Sequence, residues 1–142
     1  MQLRDMDLAE KAARIEEDFG YLPDPQERFQ YLVDLSADAP GLEEAERTEA
    51  NRVAGCVSAV WVVAEGREGR VQYRFEADSP IVQALAWALA DFYGGHTAEE
   101  IVATPPAFFD RLRLVDALTE NRQRGLQALI ARFQSLAVEA VA

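Results

Sequence analysis

The sequence predicts an α+β fold in which helices pack on one face of a small antiparallel sheet of about three strands. Three observations carry that expectation. Apolar residues recur at helical spacing in the first third of the 142-residue chain. A stretch of alternating, β-branched and aromatic residues follows in the middle, and helical spacing returns from there to the end.

Leu8, Ala12, Ile15 and Phe19 form the stripe of a first amphipathic helix, with Gly20 as its stop. Asp24-Pro25-Gln26-Glu27 restarts a helix: Asp24 caps, Pro25 suits the first position and Glu27 completes a capping box. Phe29, Leu32, Val33 and Ser36 mark its inner side, flanked by Tyr31 and Leu35. Residues 38–50 read as a surface connection. Arg52-Val53 then supplies a third strand beside a hairpin. Val57 to Ala64, apolar on both faces, reads as a central strand. Gly66-Arg67-Glu68-Gly69 turns the chain into Val71, Tyr73 and Phe75, which alternate with Gln72, Arg74 and Glu76. Asp78-Ser79-Pro80 opens a helix over Ile81, Leu85, Leu89 and Phe92 that stops at Gly94-Gly95. His96 falls in the loop beyond and is given no role. Thr97-Ala98-Glu99-Glu100 is a capping box, Thr104-Pro105-Pro106 a breaker, and a last long helix runs from about Thr119.

Composition narrows the function. The length suits a single domain over residues 1–142 with a real core. No apolar run approaches the ~18 residues of a membrane span, and the N-terminus lacks an apolar secretory core, so the expected location is cytoplasmic. Twenty-five acidic against fourteen basic residues give a formal charge of −11, which disfavours nucleic acid and favours solubility or steering towards a basic protein surface. One cysteine excludes an internal disulfide and a dithiol redox cycle, and one Cys with one His does not make a zinc site. No metal or cofactor is expected.

That lone thiol, Cys56, stands between a polar loop and the apolar run ending in Trp61-Val62-Val63. A lone cysteine is either a small buried hydrophobe or a presented nucleophile. Gly55 removes bulk beside the sulfur and permits positive φ. Asn51 and Arg52 make the approach polar, and Arg52 is placed to favour the thiolate. Ser58 can donate to a thiolate or to strand backbone. Trp61 reads as core.

Asn51, Val53, Gly55, Cys56, Ser58, Val60 and Trp61 together resemble the signature of the SufE family, proteins that accept sulfur from cysteine desulfurases during iron–sulfur cluster assembly. The resemblance runs from about Ala9 to the C-terminal helix. It takes in Phe29-x-Tyr31-Leu32-x-x-Leu35, Arg47, Ala77-Asp78-Ser79-Pro80-Ile81-Val82, Thr97-x-Glu99-x-Ile101 and Leu118-Thr119-x-x-Arg122-x-x-Gly125-Leu126. The chain departs from the pattern where Val57 and Ala59 replace glutamines, Ala84 a glycine, and Arg124 an amide residue.

The resemblance implies a two-layer SufE/NifU-like fold. It also implies that Cys56 takes persulfide sulfur from a pyridoxal-phosphate cysteine desulfurase of the SufS type, stimulates that enzyme, and passes the sulfur to an iron–sulfur scaffold protein. No stand-alone enzyme activity follows. Asp78, by its own position a residue at a helix start, gains a place near the sulfur loop from the resemblance. Arg122, otherwise a charge in a first helical turn where the dipole disfavours it, becomes a candidate for contacting that loop or the partner. The competing class is a non-catalytic interaction domain of the same fold with Cys56 structural.

Overall fold

A computed structural model describes residues 6–141. Within them, six helices accompany a three-stranded antiparallel sheet, which is the α+β architecture expected. Helix α1 spans Leu8–Gly20 behind a capping box from Asp7, and α2 spans Pro25–Ser36 with Asp24 accepting from the Gln26 and Glu27 N–H groups. The reciprocal bond from Glu27 does not form, so only half of the expected box is made.

Strand β1 is Val60–Arg67 and β2 is Arg70–Ala77, paired from Val60↔Ala77 to Arg67↔Arg70. Glu68 and Gly69, both at positive φ, make the two-residue turn between them, the geometry whose twist matches the flanking strands. Helix α3 covers Pro80–Tyr93, β3 is His96–Thr97, α4 is Ala98–Ala103, α5 is Phe108–Arg111 and α6 is Glu120–Val141.

Four expectations are corrected. The third strand is β3, whose Val71↔His96 and Arg70↔Thr97 pairs place it beside β2. Arg52 makes only an isolated bridge to Trp61, backed by Val53 N–H to the Val60 carbonyl (2.9 Å) and Val62 N–H to the Asn51 carbonyl (3.0 Å). The chain bends into the Gly55 turn before a strand can extend. With the order β1-β2-β3, β2 is central and β1 lies at the edge. Residues 57–59 remain loop, and His96 is buried within β3 rather than in a loop.

The alternation rule places Val60, Val62, Val71, Tyr73 and Phe75 on one buried face. Helices α3 and α6 cover it, Tyr73 stacking on Phe133 of α6 with ring centroids 4.5 Å apart and donating to the Phe133 carbonyl at 2.7 Å. Gly66 is required there, since a Cβ would lie 2.4 Å from the Ala140 carbonyl oxygen of α6. Buried Lys11 of α1 donates to the carbonyls of Asp91, Phe92 and Gly94, satisfying the C-terminal end of α3. None of the described helices is long and apolar enough to cross a membrane.

Candidate functional site

Cys56 sits on the loop between the Arg52 bridge and β1, facing the first turns of α6. The turn depends on Gly55 at φ +90°, a conformation costly for any residue with a Cβ; one placed there would also press to 3.1 Å on Ala128. The sulfur turns inward and donates to the Gly125 carbonyl at 3.5 Å, leaving Cys56 half-buried. A Cβ on Gly125 would lie 3.7 Å from Sγ, so this glycine keeps open the space beside the thiol. Loss of hydration pushes the Cys56 thiol above its usual pKa. Val57, next along, projects outward with 82 % of its surface exposed.

Beside the sulfur lies a cleft of about 300 Å³, with apolar walls from Val82, Leu85 and Leu129 and polar lining from Ser58, Asn121 and Arg122. Arg122 Nη1 donates to Ser58 Oγ and to Ser79 Oγ, each at 3.2 Å. Ser79 is the N-cap of α3 but makes no side-chain cap bond, because its hydroxyl is turned to Arg122. Thr119 accepts the Arg122 N–H at 3.2 Å and so caps the helix that carries the guanidinium. Both bonds from the guanidinium go to neutral hydroxyls, and its charge lies in a helix N-terminal turn that favours anions.

Of the residues expected around the sulfur, Ser58 and Arg122 share its cleft and Gly55 shapes its turn. Asn51 acts at a distance, donating from Nδ2 to the Glu46 carbonyl at 2.8 Å and fixing the start of the loop. Arg52 faces Glu49 at 3.9 Å, which leaves desolvation as the force acting on the thiol. Asp78 joins the site through its backbone, its N–H donating to the Ala59 carbonyl at 3.1 Å, while its side chain is exposed. Trp61, expected in the core, lies half-buried on the sheet face opposite α6. Ser79 and Gly125 were missed as site residues. Both lay within recognised motifs, but a cap-type serine and a mid-helix glycine signal helix boundaries before they signal a site.

The chain resembles known proteins along most of its length. The SufE family model, described as the Fe-S metabolism associated domain, matches residues 13–137. The chain is similar to a SufE-like protein of Rhizobium meliloti (strain 1021), at 30% identity over 127 residues that cover 86% of this chain and 91% of that one. A SufE-like protein of Rhizobium etli is 31% identical over 126 residues, 85% of each chain. One of Synechocystis is 30% identical over 131 residues, 92% of this chain and 82% of its own. The solution structure of a hypothetical protein from Thermus thermophilus superposes with a TM-score of 0.74 at 29% identity, covering 92% of this chain and 95% of that one.

Proposed function

The chain belongs to the SufE family, and from that premise we propose that it is a sulfur carrier loaded on Cys56 by a pyridoxal-phosphate cysteine desulfurase in the cytoplasm. The Cys56 thiolate attacks the outer sulfur of the desulfurase persulfide. The bond between the two donor sulfurs breaks, the desulfurase cysteine leaves as thiolate, and the proton lost by Cys56 balances the one that cysteine regains. No electron is lost or gained overall. Removing the persulfide frees the desulfurase for another turnover, which is the basis of stimulation. The carrier then yields its outer sulfur to a thiolate of an iron–sulfur scaffold by the same exchange.

The observation that carries this reading is the sole thiol of the chain held on a glycine-hinged loop over a cleft with room beyond the sulfur. A persulfide is a stronger acid than a thiol, and Arg122 in the same cleft offers its anion a charge that no carboxylate among the described residues has taken. The raised thiol pKa fits a resting state in which Cys56 is protonated and sheltered, and the partner must bind the exposed loop better to draw it out.

The same pKa also favours the second reading, an interaction domain in which Cys56 is structural. Mass spectrometry separates the two. After incubation with desulfurase and cysteine, Cys56 is expected to gain the mass of one sulfur atom, and Cys56→Ser to gain none while melting within a few degrees of the parent. An unloaded Cys56 beside a turning-over desulfurase would leave the structural reading standing.

A further inference from the structure

The segment leading into the cysteine loop is tied to the outer face of the sheet by charged side chains. Gly41, at φ +75°, brings the chain so close to β2 that a Cβ there would lie 2.8 Å from Glu76 Oε1. That oxygen accepts the Leu42 N–H at 2.9 Å and stands 3.5 Å from Arg47 Nη1, which donates to the Leu42 carbonyl at 3.0 Å. A single 3-10 turn, Glu44–Glu46, follows, with Glu46 Oε1 accepting the Glu43 N–H at 3.1 Å.

The Glu46 carboxylate then receives both prongs of Arg74 from β2, Nη1 to Oε1 at 2.8 Å and Nη2 to Oε2 at 2.5 Å. Hydrogen bonding to Arg74, and secondly to the Glu43 N–H, holds the Glu46 carboxyl below the usual carboxylate range. The backbone carbonyl of this same Glu46 accepts Asn51 Nδ2, and the Asn51 carbonyl in turn accepts the Val62 N–H of β1. One residue therefore joins the sheet to the start of the loop.

We propose that Glu46 is a positioning residue for Cys56, and that the Arg74–Glu46 ion pair is a latch holding Asn51 and the loop in the sheltered arrangement until docking loosens it. Its purpose rests on the carrier reading, but its test does not. Arg74 also meets Glu65 Oε1 at 2.8 Å; Glu65 lies within β1, so that contact ties strand to strand and supplies an internal control.

The test is the rate at which iodoacetamide labels Cys56 in the isolated full chain. Glu46→Gln keeps the size and the acceptor oxygen but removes the charge, and labelling is expected to quicken about two- to fivefold, the range a part-exposed ion pair carries. Asn51→Ala, cutting the same tie, is expected to act alike, whereas Glu65→Gln leaves the rate unchanged. Labelling of the unaltered chain, measured against glutathione in the same buffers, should also quicken with salt, and that of Glu46→Gln should not. An unchanged rate in Glu46→Gln, or equal quickening in Glu65→Gln, overturns the latch. Salt-indifferent labelling of the unaltered chain overturns it as well, which keeps the test decisive should a variant unfold. If labelling follows the latch while Cys56 never takes sulfur, the carrier reading alone fails.

Discussion

Gly125 carries two conflicting demands at one position. A glycine inside a helix costs about 0.5–1 kcal/mol relative to alanine, and here it sits in the second turn of α6. An alanine Cβ would meet Cys56 Sγ at an ordinary contact distance of 3.7 Å, so the unloaded protein has room for it. A second sulfur on Cys56 lodged against α6 would compete with that Cβ for the same space. Gly125→Ala is therefore expected to raise the melting temperature by a few degrees while the loaded form becomes more open to alkylating reagents. Thermal melting together with labelling of the persulfide checks both halves; unchanged protection of the loaded sulfur would place it away from α6. Cys56 stands out in the sequence as the sole thiol, with Gly55 beside it. The acceptor of its S–H was not legible, because Gly125 lies 69 residues downstream and only the fold brings the two together.

At the scale of elements, caps and turns read well and strand order read poorly. Asp24, Thr97 and the Glu68-Gly69 turn act locally, within a few residues of where their chemistry is written. The apolar run at β1 suggests a central strand, yet Trp61 and Val63 lie on the outer face, where a strand apolar on both sides need not have two neighbours. Lys11 gave no signal at all, being one charge on an amphipathic helix until α3 ends above it. Ser79 shows the cost of such reassignment. Substituting a capping residue by alanine costs ~1 kcal/mol where the cap bond exists, as at Asp24. Ser79 makes no such bond, so Ser79→Ala is expected to cost less in chemical denaturation than Asp24→Ala, yet to disturb Arg122 and slow sulfur loading. Equal losses of stability in the two variants would show that Ser79 caps α3 after all.

At the scale of the whole molecule, an acid excess of eleven charges acts on a partner before any contact forms. The surface around Cys56 is mixed: Val57 is exposed beside it, and Arg52 and Arg124 lie exposed on the loop and on α6. For a partner docking there, two sources of affinity would compete: long-range attraction of an acidic body to a basic surface and short-range burial of Val57. They differ in their response to salt. Attraction between exposed charges is screened within ~10 Å at 0.1 M salt, whereas burial of an aliphatic side chain is barely altered. If attraction brings the proteins together, the association rate with the desulfurase should fall about tenfold or more between low and half-molar salt while the dissociation rate changes little. Val57→Gln should then leave the association rate alone and quicken dissociation, since a rim-to-core contact acts after encounter. Stopped-flow association across a salt series measures both, and an association rate constant within about twofold over that range would transfer the recognition from the charge of the molecule to the apolar contact at Val57.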